Sequence, residues 1–300
     1  MKPQPSNSWL PLYCALGVVW GCSFIFIKLG LEFLTPFGVA FGRCLLGAVT
    51  LIVIVLSRKL NFPRQLKIWL HLWFVSFLLN SIPGVLFALA ETKVTSILAG
   101  ILNATTPLMT IAVIFLAFRE EKPKAHHIVG LVVGAVGVFV VLGAWEGIGS
   151  NPLWAVGVLL IATLGYGISF PYSRKFIIPL KLEPEVAAAT QLILATVTLL
   201  PFFIVDGYEQ SNPRTSAIIA MAALGIFGSG FAYIWNFRII ERAGSAIAST
   251  VTYVTPVVAV IVGILFLGEN LKWYEPLGGL IVLLGAAISQ GRLNVLLKRA

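Results

Sequence analysis

Asn103-Ala104-Thr105-Thr106-Pro107 interrupts an apolar run, and 149 residues later the chain reads Thr252-Tyr253-Val254-Thr255-Pro256 in a similar setting. At the same offset Ser96 matches Ser245, Ala99 matches Ala248, Glu120 matches Glu269 and Gly130 matches Gly279. The matches cover one apolar segment, its acidic end and the segment that follows. One unit is therefore written twice, with a period far too long for a solenoid. Trp20-Gly21-Cys22-Ser23-Phe24 is echoed in turn by Tyr166-Gly167-Ile168-Ser169-Phe170, Pro36 by Pro184 and Arg43 by Gln191.

Composition places this duplication in a bilayer. Of 300 residues 58% are hydrophobic and 11% charged, with a mean hydropathy of +0.95. Soluble domains carry about a quarter charged residues. The net charge of +9 is scattered over short connections, with no basic domain to hold a duplex, which argues against nucleic acid as a partner. Cys14, Cys22 and Cys44 all lie in expected spans and imply no disulfide framework. The adjacent His126 and His127 do not make a metal site, and no cofactor is expected. The apolar run from Leu10 is long enough to span, lacks a small-residue cleavage site and has a counterpart in the second half, so it reads as a first span rather than a signal peptide.

Apolar runs of roughly twenty residues predict an all-α protein with ten transmembrane helices. They fall near 9–29, 37–57, 68–90, 96–118, 125–144, 153–173, 186–205, 215–237, 246–267 and 273–290. With the N-terminus cytoplasmic, the inside segments hold sixteen Lys and Arg and the outside segments only Lys28, Lys93, Arg214 and Lys272. That bias predicts cytoplasmic termini at both ends. Because each half holds five helices, an odd number, the second half enters from the opposite side. The expected architecture is two inverted repeats, a design used by secondary transporters.

The candidate functional residues follow the two echoes. A proline within a helix removes one amide donor and frees the carbonyl four residues back, here at Asn103 and Thr252. In a bilayer that carbonyl must find a partner. Pro107 lies about eleven residues into its span and Pro256 about ten, which puts both near the midplane. Asn103, Thr106, Thr252 and Thr255 are expected to flank one central cavity, with the freed carbonyls open to a donor such as an ammonium group. Tyr253 belongs to the same stretch. Trp20, Ser23, Phe24, Tyr166, Ser169 and Phe170 are expected to line the pathway, and Asn80, Phe87, Tyr233, Trp235 and Asn236 are unusual so deep in lipid. An aromatic-lined cavity of this kind suits a neutral or zwitterionic metabolite with an apolar body, hydrophobic or aromatic amino acids first.

Arg43 is the one charged side chain clearly within a span, about six residues from the outer end. A structural partner is favoured for it over a substrate anion. Glu91, Glu120, Glu241 and Glu269 fall at helix ends, so no mid-membrane carboxylate for a proton relay is read, although Glu91 near a cavity mouth can titrate. The driving force is left as a proton or substrate gradient.

These stretches resemble the EamA family of the drug/metabolite transporter superfamily. The resemblance rests on the Trp20–Phe24 motif, Arg43-Cys44-Leu45-Leu46-Gly47-Ala48, Phe87-Ala88-Leu89, Thr106-Pro107-Leu108, Phe237–Gly244, Tyr253–Val257 and Leu267-Gly268-Glu269. It covers two units, 10–142 and 155–288. It implies a ten-helix, inverted-repeat carrier without catalytic activity, often an exporter of amino acids or other small metabolites, in a bacterial cytoplasmic membrane. The halves are not equivalent, since Tyr166 stands for Trp20 and Gln191 for Arg43. An intramembrane enzyme would need clustered His, Asp, Glu, Cys or Ser within the bundle. That reading, a non-transporting membrane protein, and a drug or nucleoside carrier of the same fold are the alternatives.

Overall fold

The apolar runs fold as ten helical stretches in a computed structural model that describes residues 9–118, 125–141, 143, 152–209 and 213–289. We number them α1 (Leu10–Gly30), α2 (Pro36–Ser57), α3 (Leu66–Glu91), α4 (Ser96–Ala117), α5 (Ala125–Val141), α6 (Leu153–Leu180), α7 (Pro184–Asp206), α8 (Thr215–Ala243), α9 (Ser245–Leu267) and α10 (Tyr274–Ser289). Eight are long and apolar enough to cross a membrane. The helices α5 and α10 carry shorter apolar stretches, Ile128–Val141 and Tyr274–Gly285. Positions 142, 144 and 290, at the ends of the fifth and tenth expected spans, lie outside the described residues. Among the described residues the one β contact is an isolated bridge between Leu34 and Tyr208.

The two halves interlock. Helix α1 packs against α8 and α9, and its counterpart α6 packs against α3 and α4; α2 lies on α7 and α5 on α10. Each neighbour relation is preserved when every helix is exchanged for the one five places on. The duplication seen in the sequence is therefore also a symmetry of the packing. The main apolar core draws on both halves, with Phe24, Phe87 and Ile97 from the first and Leu159, Ala162 and Leu224 from the second. The outer faces expose Val53, Leu116, Phe139, Val205 and Phe266, as a lipid-facing surface requires.

Small residues set the closest approaches. A Cβ on Gly137 would stand 2.5 Å from the Val282 amide nitrogen, and one on Gly278 would stand 2.3 Å from that of Val141. The α5–α10 contact is thus backbone on backbone, the small-residue packing by which membrane helices gain van der Waals contact without a hydrophobic drive. One charged cluster reinforces the bundle. Glu185, in the first turn of α7, is buried and ion-paired to Arg58 at 2.6 Å and to Arg238 at 2.5 Å, which ties the end of α2 to α7 and α8. The expected seventh span, starting at 186, leaves this residue out. Gly137→Val and Gly278→Val should each push α5 from α10 and destabilise the protein by roughly 1–3 kcal/mol. Thermal unfolding of the purified variants checks this, with the half-buried Gly157→Ala as control, since a Cβ there meets nothing within 4 Å.

Candidate functional site

Among the described residues four helices carry a π-helical segment; those of α4 (Ile114–Phe118) and α6 (Ser173–Ile177) lie toward the helix ends, and the other two lie mid-helix, where the sequence shows only an apolar run. In α3 the segment Phe77–Ser81 is π-helical, and in α8 Ile226–Phe231 is as well, starting 149 residues later. Pro83 accounts for the first, because its ring displaces the carbonyl of Leu79. In α8 Gly228 and Gly230 occur within the turn itself. A π-turn leaves a carbonyl without its usual amide, and such turns gather at functional sites. Here the opposite repeat supplies the donors. Trp20 Nε1 donates to the Gly228 carbonyl at 3.2 Å, and the Tyr233 hydroxyl donates to the equivalent Leu79 carbonyl at 3.4 Å. Arg43 Nε donates to Ser229 Oγ at 3.1 Å, and its counterpart Gln191 donates through Nε2 to Asn80 Oδ1. Each mid-helix π-turn is thus held by an aromatic and a polar side chain from across the molecule.

The Pro107 and Pro256 stretches break their helices rather than kink them. The first half of α4 ends at Asn103 and the second begins at Thr106. In α9 a 3-10 turn over Thr250–Tyr253 separates Ser245–Ser249 from Val254–Leu267. Asn103 joins the two breaks: its Nδ2 donates to Thr255 Oγ1 at 3.3 Å, and its Oδ1 accepts from Thr106 Oγ1 at 3.4 Å. The expectation that both freed carbonyls stay open is corrected at Thr252, whose carbonyl accepts the Thr255 hydroxyl at 2.9 Å. The Gly of each aromatic motif lets α1 come close to α9 and α6 close to α4. A Cβ on Gly21 would stand 2.4 Å from Val258 Cβ, and one on Gly167 would stand 2.7 Å from Met109 Cβ, the matching position.

Between the π-turns and the breaks lies a cavity of about 40 Å³, room for roughly three waters or the small end of a ligand. Trp20, Ser23, Phe24, Asn103, Tyr166, Tyr233 and Thr252 line it, together with Ile27, Arg43, Leu79, Phe87 and Phe170. Its rings pack against one another, Trp20 edge-on to Tyr233 at 6.1 Å, Phe24 tilted on Phe87 at 5.7 Å and Phe87 stacked on Tyr166 at 5.8 Å between centroids.

Several expected lining residues are placed elsewhere. Thr106 and Thr255 stand behind Asn103, with Pro107 and Pro256 buried at the starts of the second half-helices. Asn80 is occupied by Gln191, and the Ser169 hydroxyl donates to the carbonyl of Tyr166 at 2.9 Å. Asn236 is fully buried outside the lining, and Tyr253 points to the cluster of Ala104, Leu108 and Val282. Arg43 has the structural partner expected of it, Ser229, and beyond that expectation it is 7% exposed and lines the cavity.

The two ends of this core are capped in matching ways. Lys28, one turn beyond Phe24, donates to the carbonyls of Glu91 at 2.6 Å and Val94 at 3.2 Å. Arg174, at the equivalent place after Phe170, donates to those of Ile240 and Glu241 at 3.0 Å each. A cation thus sits at the negative end of α3 and of α8. At the Lys28 end the Glu269 carboxylate accepts from the Ser96 amide at 2.9 Å, the Ser96 hydroxyl at 2.9 Å and the Ile97 amide at 3.0 Å. This fastens the end of α9 to the start of α4. Its sequence counterpart, Glu120, lies outside the described residues.

The sequence model of the EamA-like transporter family matches residues 7–143 and again 153–290. This chain belongs to that family. Relatives agree along almost the whole length of this EamA-family member. An uncharacterized inner membrane transporter of Escherichia coli K12, YedA, is 28% identical over 94% of this chain and 92% of its own. An uncharacterized transporter of Archaeoglobus fulgidus is 30% identical over 95% and 99%. A crystal structure with a TM-score of 0.69 and 20% identity covers 94% of this chain and 96% of its own, which supports the fold alone. The protein is thus a multi-pass membrane transporter built of two EamA units.

Replacing both Pro107 and Pro256 by alanine restores two amide donors and lets α4 and α9 run on through their breaks. Transport by the double variant should fall about tenfold or more, while folded protein falls less. Flux normalised to monodisperse protein checks this. Unimpaired flux would separate the breaks from function.

Proposed function

We propose that this protein is a secondary carrier that exports small neutral or zwitterionic metabolites, amino acids first, by alternating access. In this reading it spans a bacterial cytoplasmic membrane ten times, as two inverted five-helix repeats with both termini inside. A substrate or proton gradient drives the flux.

The observation that carries the reading is the pair of equivalent hinges around one cavity. Each repeat contributes a π-turn and a broken helix, and each π-turn is held by side chains of the other repeat. Two packings related by exchange of the repeats have similar energies, which is what a carrier open to either side in turn needs. The cavity in this structure is too small for a whole amino acid, so a substrate of that size needs the two repeats to part around it. The aromatic walls favour an apolar body over a polyanion. The export direction and the amino-acid class rest on the family resemblance and the lining.

Protein reconstituted in liposomes and offered radiolabelled hydrophobic and aromatic amino acids should show saturable counterflow. Absence of saturable flux across the set would contradict the carrier reading. Flux confined to multiply charged anions or nucleotide-linked sugars would contradict the substrate class.

A further inference from the structure

We propose that Arg43 is the substrate-binding residue for a carboxylate, so that the cavity takes a small organic acid or zwitterion with its carboxylate on Arg43 and its apolar body among the rings. This deepens the carrier reading above and rests on it for the assignment of the ligand as cargo.

A guanidinium carries five N–H donors and keeps its charge at any working pH. Arg43 spends one of them, Nε–H, on Ser229 Oγ. No hydrogen bond from Nη1 or Nη2 and no ion pair forms with the described residues, although the side chain is more than nine-tenths buried and lines the cavity. Its positive charge acts on the Tyr166 and Tyr233 hydroxyls in the cavity wall, and on Glu91, which lies beyond ion-pair distance. A cation held inside a membrane protein costs several kcal/mol unless something compensates it. Glu91 acts only from beyond ion-pair distance, so the Nη1 and Nη2 donors are left to whatever enters the cavity.

The second repeat shows that the charge is not there to hold the fold. Gln191 stands where Arg43 stands and does the same structural task, donating to the π-turn side chain Asn80. A neutral amide suffices for the clasp, so the charge and the four remaining donors of Arg43 are surplus to it. Their fork geometry matches two carboxylate oxygens. One cation among Trp20, Phe24, Phe87, Tyr166, Phe170 and Tyr233 suits a single negative charge joined to an apolar body, and suits a phosphate dianion poorly.

The test compares ligands that differ only at the acid. Dissociation constants of the purified full chain are measured calorimetrically for phenylalanine, phenylalaninamide, 3-phenylpropionate and phenethylamine, and for leucine and leucinamide. The acids should bind about tenfold or more tighter than the matching amides or amine, the range expected of a charge-assisted hydrogen bond. Arg43→Gln, which reproduces the second repeat's side chain and can still bond Ser229, should bring that ratio close to one. Arg43→Lys should keep part of it. Gel filtration and unfolding without ligand confirm that both variants fold. Equal binding of acid and amide by the unmodified protein, a ratio that survives Arg43→Gln, or no binding by any acid in the set overturns the assignment. Binding of the acids without flux in liposomes leaves the Arg43 assignment standing and overturns the carrier reading instead.

Discussion

Backbone carbonyls in a bilayer have no water to fall back on, and the two π-turns are where this protein meets that constraint. Pro83 deprives the Leu79 carbonyl of its usual amide, and Gly228 is the equivalent position in the π-turn of α8. Tyr233 and Trp20 reach across from the opposite repeats to satisfy them. Because these donors are large aromatic side chains, satisfying the backbone also builds the cavity wall. The polar side chains beside them, Gln191 on Asn80 and Arg43 on Ser229, complete the clasp and fix where a charge can sit. The site is therefore a product of the helix irregularities rather than an addition to a regular bundle.

The same economy governs the broken helices. Each break exposes polar backbone at the centre of the bundle, and hydroxyls close it locally: Thr105 onto the Leu102 carbonyl at 2.8 Å, Thr252 onto that of Ser249 at 2.8 Å and Thr255 onto that of Thr252. Asn103 then links the two breaks across the repeats. The breaks are thus tied together at the middle, and the ends are capped by Lys28, Arg174 and Glu269.

Much of this was legible in the sequence because it rests on period and punctuation. Apolar runs marked the spans, the 149-residue offset marked the duplication, and Pro107 and Pro256 marked the interruptions. The two aromatic motifs, each with its glycine, were visible as an echo, but not that Val258 and Met109 would press on those glycines. What stayed hidden was rotational phase. A π-turn inserts one residue and turns every later side chain of its helix by about a fifth to a quarter of a turn relative to a regular α-helix. Asn236 and Tyr233, both beyond the turn in α8, could not be placed by spacing alone. Pro83, with Leu79 four residues before it, was the one available signal for the irregularity in α3. The depth of Arg43 gave a second difficulty, because distance from a helix end does not tell whether a long side chain turns inward or out. Its pairing with Gln191 in the repeat held the information, but the shared task appeared only with Ser229 and Asn80 in place.

The proposed carrier requires the end of α9 and the start of α4, fastened here by Glu269, to part and rejoin as the two repeats exchange conformations. Nitroxide labels on Lys93→Cys and Asn270→Cys flank the Glu269 cap on exposed positions, in a background with Cys14, Cys22 and Cys44 replaced. Pulsed electron spin resonance in nanodiscs should resolve two distance populations, a shorter one matching this structure and a longer one. Adding Glu269→Ala should move weight to the longer. A single population that Glu269→Ala leaves unchanged would contradict the account.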